Sequence, residues 1–436
     1  MGGRLGSAPE RVAGALGARK ERETNPAARS GTKILGPEYL MTMRKILFWM
    51  HLTAGCLAGL VILVMCVTGV MLAYGKQIVT WSERSFYRTP PAAGVAQAPV
   101  EELLGRVRAF DGSAAPTSVT WRADRGAPVE IAFGRERRLL VNPYTGEILG
   151  EGAKRLRGFF VAVENCHRWL AVPAERRATG RAITAACNLA FLFLLGSGIC
   201  MWWPRNWSWL ALRNVVLFNR QLRGRARDFN WHNVIGFWGS VPLFVVVACS
   251  VVMSYPWANA AVYKATGSPV PVQAAAGGPG QSAAQGAGPR AARAVSYDGL
   301  GVLFARASEK VSGWQTIALR LPGPADATAT FSIDTGNGGR PDRRAQLTLD
   351  RKTGGEISWE PFSSFNSGRR LRTWIRFTHT GEAGGWLGET IAATAALAGV
   401  FLVCTGMAMA LRRLYAWRGP REKVAAGQDS PEEVTV

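Results

Sequence analysis

Four long apolar stretches of the chain contain no Asp, Glu, Lys or Arg, and this feature limits the possible folds more than any other. A helix rises about 1.5 Å per residue, so about 20 apolar residues cross a hydrocarbon core about 30 Å thick. A buried helix of a soluble protein rarely stays uncharged over such a length. The sequence therefore predicts four transmembrane helices, the first of which is too long for a cleaved signal peptide. The stretches are Ile46–Tyr74, Ala182–Pro204, Val234–Ala258 and Ile391–Leu411.

The charge distribution predicts the orientation of these helices. Residues 205–231, between the second and third stretches, hold six arginines and a single acid, Asp228. Short basic loops of this kind stay in the cytoplasm, which places both termini in the cytoplasm and the two long segments outside. Part of the net charge of +22 therefore comes from residues that orient the helices in the membrane, and the charge does not predict nucleic-acid binding.

The segments outside the helices differ in composition. Residues 269–294 are rich in Ala, Gly, Pro and Gln, a composition that predicts a flexible linker. Residues 1–43 are mostly polar with a surplus of basic residues, which predicts a disordered segment. The sequence leaves the start residue open between Met1, Met41 and Met43. The predicted order is 1–43 cytoplasmic, 44–75 first helix, 76–181 first outer module, 182–204 second helix, 205–231 cytoplasmic loop, 232–258 third helix, 259–386 second outer module, 387–412 fourth helix and 413–436 cytoplasmic tail.

The two halves of the chain resemble each other. His51 and His232 each lie close after a tryptophan, and a glycine follows each of them by four residues. Each outer segment contains a helix, then a strand, a Thr-Gly turn and a second strand, over residues 137–148 and 346–357 in the two halves. Each segment ends with a further histidine. Because both halves begin on the same side, the sequence predicts a parallel repeat with an outer α/β module in each half.

The only four histidines of the chain lie at the ends of the predicted helices. His51 and His232 are predicted at the inner ends and His167 and His379 at the outer ends, so each side receives one histidine from each half. Ionisable groups at membrane depth are costly and are by default candidates for function. A single histidine of this kind is more often an ordinary interfacial residue. The two-and-two distribution is what favours a shared function.

These features resemble the PepSY-associated transmembrane family of bacteria. The similarity covers residues 44–415, and its motifs are Trp49-Met-His51, Asn230-Trp231-His232-Asn233, His379-Thr-Gly-Glu382 and the two strand–Thr-Gly–Glu–strand elements typical of the PepSY module. The resemblance implies a polytopic α-helical protein of the bacterial inner membrane, with four transmembrane helices in two parallel repeats and two periplasmic α/β PepSY-like modules. Family members include reductases that accept ferric siderophores and carry b-type haems. Others are fused to flavin reductase domains, for which this sequence shows no GxGxxG unit.

A b-type haem needs two neutral imidazoles on opposite faces of one iron, supplied by separate helices. The sequence predicts that His51 with His232, and His167 with His379, are the axial ligands of two haems b, and it leaves open whether one or two are bound. The first pair is better supported, because its two histidines lie at matching depths. Covalent attachment is not predicted, because Val163 stands where a c-type motif would have its first cysteine.

Arginines and glycines near the histidines complete the predicted haem sites. Guanidinium groups suit haem propionates, although they suit lipid head groups as well. The predicted propionate partners are Arg44 and Arg227 on the inner side and Arg168 and Arg376 on the outer side, with Arg225, Arg176, Arg177, Arg369, Arg370 and Arg372 also available. Glycines are predicted to leave room for the porphyrin beside the inner ligands. These glycines are Gly55, Gly59, Gly236 and Gly239.

The sequence and the resemblance together predict a transmembrane ferric reductase. It would pass electrons from a cytoplasmic or quinol donor to a ferric siderophore or other ferric chelate in the periplasm, with membrane lipid as its other partner. Basic outer segments would attract an anionic chelate. A zinc site is disfavoured, because zinc requires three or four ligands at one point. The alternative function is a non-redox PepSY membrane module that binds or regulates a periplasmic enzyme or sensor and carries no cofactor.

Overall fold

The computed structural model describes residues 37–418, apart from residues 93, 113–114, 135–136, 204–207, 272–296 and 324–325. Within these residues, four helical segments are long and apolar enough to cross a membrane, which confirms the predicted number. These segments are Met43–Phe86, Lys154–Trp202, Gly224–Ser254 and Glu382–Ala416. Most of the predicted linker 269–294, of the segment 1–43 and of the tail 413–436 lies outside the described residues.

The described residues form eleven α-helices. They are α1 Pro37–Ala73, α2 Gly75–Ser82, α3 Val100–Phe110, α4 Lys154–Trp169, α5 Arg177–Trp202, α6 Trp209–Val216, α7 Gly224–Ser254, α8 Pro256–Ala265, α9 Leu300–Lys310, α10 Ser367–His379 and α11 Gly385–Arg418. Helix α1 begins inside the segment predicted to be disordered. Helix α6 and the start of α7 lie within the predicted cytoplasmic loop. Arginine is a good helix former, and its charge predicts the side of the membrane but not the secondary structure.

Eight strands form one antiparallel sheet with the order β4-β3-β2-β1-β5-β6-β7-β8. They are β1 Ser118–Arg122, β2 Val129–Phe133, β3 Arg137–Val141, β4 Ile148–Gly150, β5 Thr316–Arg320, β6 Thr328–Asp334, β7 Arg344–Asp350 and β8 Glu356–Pro361. The sequence predicts two separate β-containing modules. The structure joins them, because β1 of the first pairs along its whole length with β5 of the second.

One face of this sheet carries the core. Side chains alternate along each strand, so Val119 and Trp121 of β1 are buried on the same face as Ile317 and Leu319 of β5. Helices α3 and α9 cover this face and contact each other. The two helices come from different halves of the chain, so the core is shared by both halves.

The two Thr-Gly turns have the same construction. The Asn142 side chain accepts hydrogen bonds from the backbone N–H groups of residues 144 and 145, and the Asp350 side chain accepts them from those of residues 352 and 353. Gly146 and Gly354 both have φ near +67°, a conformation that glycine adopts without strain. The hydrogen bonds to Asp350 lower the pKa of its carboxyl group, which keeps it ionised in the turn.

Replacing Gly146 with alanine is expected to destabilise the protein by about 1–2 kcal/mol, the cost of a left-handed conformation for a residue with a Cβ. The new methyl group would also meet the Arg106 side chain. Gly105→Ala is the control, because Gly105 lies inside α3 next to open space, and alanine there should stabilise the helix by about 0.5–1 kcal/mol. Thermal unfolding followed by tryptophan fluorescence measures both. A lower midpoint for Gly105→Ala than for Gly146→Ala would contradict the assigned turn.

Charged contacts fix the ends of the membrane helices. Asp228, the single acid of the basic loop, is buried near the start of α7 and pairs with Arg412 of α11 at 2.6 Å and with Arg227 at 3.0 Å. Arg413 lies over the rings of Phe48 and Trp49 in α1, about 5 Å from each centroid. Since buried charges are stable only when paired, these contacts specify how α7 and α11 meet at this end.

A buried ion pair lies on the other side of the helices. Glu83, which follows α2, pairs with Arg157 near the start of α4, and both are less than a tenth exposed. The Arg157 guanidinium also donates to the carbonyl of Glu151. The pair therefore holds α4 against the segment that leaves the first membrane helix.

Candidate functional site

Four different helices carry the four histidines. His51 lies in α1 and His232 in α7, both inside segments able to cross a membrane. His167 lies in α4, within the segment Lys154–Trp202, and His379 is the last residue of α10, just before the segment Glu382–Ala416. A left-handed turn at Leu170 ends α4, and the chain then reverses into α5. His167 thereby lies against Met65 of α1.

The structure brings His167 and His379 together. Their ring centroids are 6.4 Å apart and their planes are inclined by 47°. Metal–imidazole bonds are about 2.0–2.1 Å long, so two imidazoles bound on opposite sides of one metal have centroids about 6.3 Å apart. The observed separation fits a shared axial ligand pair. The rings of His51 in α1 and His232 in α7 are near enough to interact electrostatically, so they lie in the same region of the helices.

Backbone carbonyls contact the rings of both His167 and His379. The Nδ1 atom of His167 is 3.0 Å from the carbonyl oxygen of Met65 in α1 and 2.9 Å from the hydroxyl of Thr68, and the Nδ1 atom of His379 is 2.9 Å from the carbonyl oxygen of Val246 in α7. A carbonyl oxygen can only accept, so Nδ1 carries the proton in both rings. Burial lowers the pKa of His379, which keeps its imidazole neutral.

Hydroxyl groups orient the rings of His51 and His232. His51 Nδ1 is 2.8 Å from the hydroxyl of Ser197 in α5, and His232 Nδ1 is 2.9 Å from that of Thr405 in α11. Both hydroxyls donate to backbone carbonyls of their own helices, that of Ser197 to Leu194 and that of Thr405 to the carbonyl one turn earlier. Each hydroxyl oxygen therefore accepts the Nδ1–H of its histidine.

The consequence is the same for all four histidines. In each ring Nδ1 is occupied by a hydrogen bond, so Nε2 is the ring nitrogen that remains for a ligand. The two halves use matching positions, because Met65 follows His51 by fourteen residues and Val246 follows His232 by the same number. Sequence reasoning missed Ser197 and Thr405. The available signal was a hydroxyl residue followed by glycine at the same place in the second and fourth membrane helices.

Glycines lie directly against three of the rings. A Cβ atom at Gly198, Gly406 or Gly69 would approach the Cε1 atom of His51, His232 or His167 at 3.7, 3.4 and 3.6 Å, respectively. A Cβ atom at these distances makes ordinary van der Waals contact, so alanine would fit and a larger side chain would crowd the rings.

The glycines predicted to leave room for a porphyrin lie beside other helices. A Cβ atom at Gly55, Gly59, Gly236 or Gly239 would contact the side chain of Leu194, Met407, Leu402 or Ala398, respectively. Small residues at such positions also favour close helix packing in membranes. Their role beside a porphyrin stays a prediction.

The predicted arginines differ in their contacts. Arg168 pairs with Glu164 at 2.8 Å and lies over the Trp169 ring, so it is partly neutralised. Arg227 is held by Asp228. Arg376 stacks on the ring of Phe377, 4.6 Å from its centroid, and has no carboxylate partner among the described residues. Arg44 lies in α1 about two turns before His51. Arg376 is therefore the arginine of this set with its charge most available for an anionic group.

The arrangement suits groups held by two ligands. In the described part of the chain, no three His, Cys, Asp or Glu side chains come together as a site for a metal ion. His167 and His379 instead bring two imidazoles from different helices to a centroid distance of 6.4 Å.

The fold defines a polytopic helical membrane protein with an eight-stranded antiparallel sheet, and His167 and His379 of two of its helices lie side by side. The sequence profile of the family described as the PepSY-associated TM region matches residues 48–413, and the chain belongs to this family. The resemblance predicted from the motifs is thereby confirmed. Comparison with individually curated proteins found no match.

Proposed function

We propose that the chain is a haem b-containing oxidoreductase of the bacterial inner membrane that passes electrons to a ferric chelate in the periplasm. One observation carries the proposal: the four histidines lie on separate helices, each has Nδ1 held by a hydrogen bond, and the rings of His167 and His379 are 6.4 Å apart. An interfacial histidine without a ligand has no need of such fixed orientation.

The protein's own groups have defined roles in this proposal. His51 with His232, and His167 with His379, would hold two haems b, whose iron supplies reversible one-electron transfer. The Nδ1 hydrogen bonds set the direction of each ring and increase its basicity as a ligand. Arg376, Arg168, Arg227 and Arg44 would receive the propionates. No histidine acts as an acid or a base.

The orientation and the parallel repeat belong to the same proposal. The matching histidine partners, the matching Thr-Gly turns and the sheet order about β1 and β5 support two equivalent halves. The six arginines of residues 205–231 support a cytoplasmic loop, and hence cytoplasmic termini and a periplasmic sheet. Electrons would then run from the His51–His232 site toward the His167–His379 site, about 21 Å further along α1 when measured from His51 to Met65.

The number of electrons transferred relates the proposed donor to the proposed acceptor. Reduction of a chelated ferric ion to the ferrous state consumes one electron. A quinol donor would release two electrons and two protons on oxidation, enough for two ferric ions, whereas a cytoplasmic reductant would deliver its electrons on the loop side. A ferrous ion is held less tightly by hard anionic oxygen ligands, so reduction favours release of the metal.

The visible spectrum of the purified protein tests this proposal against the non-redox alternative. Protein expressed with haem available is expected to show a Soret band, and after dithionite sharp α and β bands, with two haems per chain by quantitation. A folded but colourless preparation would favour a PepSY membrane module that binds or regulates a periplasmic enzyme or sensor.

Thr405→Val is expected to weaken haem retention at the His51–His232 site about 10–100-fold, the usual effect of removing a hydrogen-bond partner of a metal ligand. Valine keeps the shape of threonine but cannot accept the Nδ1–H of His232. Thr405→Ser keeps the hydroxyl and should retain haem.

Transfer of haem to an excess of a haem-scavenging apoprotein measures this retention. Thr394→Val is the matched control, because the Thr394 hydroxyl bonds only to its own helix. Equal loss from the Thr405→Val and Thr394→Val variants would show that the Thr405 hydroxyl does not act through His232.

A further inference from the structure

A pocket of about 370 Å³ opens at one end of β6, β7 and β8, beside the first turns of α10. Its floor consists of Ile333, Ala345 and Pro361, which are paired across the three strands. Its volume lies in the range of small-molecule sites, about 300–1,000 Å³. The walls are aromatic and cationic. They include Trp359, Phe362, Arg343, Arg344 and Arg370.

Positive charge is in excess in this pocket. Asp342 is the only carboxylate among the lining residues that the structure describes, and Arg340 holds it through two hydrogen bonds of 2.9 and 2.8 Å. This contact keeps the pKa of Asp342 below its ordinary value. Arg370 donates to the carbonyl of Ser363, and neither Arg370 nor Arg343 has a carboxylate within ion-pair distance among the described residues. Their charges are available to an anion.

The same pocket lies close to the His167–His379 site. Its wall residue Phe362 makes an edge contact with Trp374 of α10 at a centroid distance of 6.3 Å, and its Arg344 lies over the ring of Phe377 at 5.1 Å. Trp374 and Phe377 precede His379 by five and two residues, which is about 7 and 3 Å along the helix axis. Helix α10 therefore connects the pocket to His379.

We propose that this pocket binds ferric catecholate chelates. Catecholates combine flat aromatic rings with negatively charged oxygens, which match the Trp359 and Phe362 rings and the positive charges of Arg343 and Arg370. Hydroxamate chelates are neutral at the metal and lack such rings, so the pocket offers them neither contact. The inference rests on the proposed function, because the electron that reduces the bound iron comes from the histidine-pair site.

Gallium(III) complexes test binding without electron transfer, because gallium(III) is not reduced under these conditions. Calorimetry on the purified full-length protein compares a hexadentate tris-catecholate chelator with a hexadentate tris-hydroxamate chelator, both loaded with gallium(III). The catecholate complex is expected to bind at least tenfold more tightly than the hydroxamate complex. Arg343→Gln/Arg370→Gln should weaken the catecholate about tenfold or more and leave the hydroxamate unchanged, because it removes two charge-assisted contacts.

The control removes the same charge elsewhere. Arg84→Gln/Arg320→Gln replaces two exposed arginines that do not line the pocket, and it should leave binding of the catecholate complex unchanged. Equal binding of the two complexes would overturn the proposal. So would a loss from the Arg84→Gln/Arg320→Gln variant equal to that from the pocket variant, because it would show that net charge alone attracts the chelate.

The two proposals can fail separately. A colourless protein that still binds the gallium catecholate through Arg343 and Arg370 would refute the oxidoreductase and retain the pocket. A haem-containing protein that does not bind the gallium catecholate would refute the pocket alone.

Discussion

Replacing His51 with alanine is expected to remove half of the haem, and His232→Ala should remove the same half. Both rings are ligands of one proposed iron, so the double variant should lose no more than either single variant, a strong departure from additivity. Combining His51→Ala with His167→Ala should remove all haem, because these two histidines belong to different pairs. Haem quantitation on purified protein, with the reduced-minus-oxidised spectrum, measures each variant.

Thr53→Ala is the matched control for His51→Ala. Thr53 lies two residues further along α1 and is exposed, so its loss should leave both haems in place. If His51→Ala with His232→Ala removed all haem while each single variant removed half, the two histidines would belong to different sites and the pairing would be wrong.

Replacing Arg157 with methionine is expected to destabilise the protein by about 3–5 kcal/mol, the cost of leaving one partner of a buried ion pair as an uncompensated charge. The partner is Glu83, which is 7% exposed. Since α4 carries both Arg157 and His167, the variant should lose haem from the His167–His379 site before the other site. The thermal unfolding midpoint and haem content measure the two effects.

Two further variants separate charge burial from loss of packing. Arg155→Met replaces an exposed arginine on the same helix and should change the free energy of unfolding by less than about 0.5 kcal/mol. Glu83→Met/Arg157→Met removes both charges and should recover most of the stability, since an apolar pair of similar volume often replaces a buried ion pair without loss. A double variant as unstable as Arg157→Met would assign the effect to packing.

Much of the architecture could be predicted because membrane insertion depends on local sequence. The four apolar stretches appear as four helices, and the strands around each Thr-Gly turn were readable from their alternation. The joining of the two modules through β1 and β5 was not readable. Strand pairing between distant segments depends on which sheet edges meet in three dimensions. Nothing in the sequences of β1 and β5 indicates that each is the edge strand of its module.

The sequence singled out the four histidines as the candidate site, and their sides of the membrane stay a prediction. Helix-end placement sorted the four histidines into two sets, and the structure brings His167 and His379 to 6.4 Å. Their hydrogen-bond partners could not be predicted. Met65 and Val246 act through backbone carbonyls, which every residue has, and Ser197 and Thr405 resemble the small polar residues that pack any membrane helix. Helix rotation decides which of these groups meets a histidine.

The pairing of β1 with β5 also has a consequence for how the protein is made. Thr120 of β1 lies opposite Ala318 of β5. At about 5–20 residues per second, a ribosome needs about 10–40 s to add the roughly 200 residues between them. During that interval β1 has an unpaired edge, which invites pairing with another chain. The nascent first half therefore depends on timely synthesis of the second, and a pause between them would favour strand exchange or proteolysis.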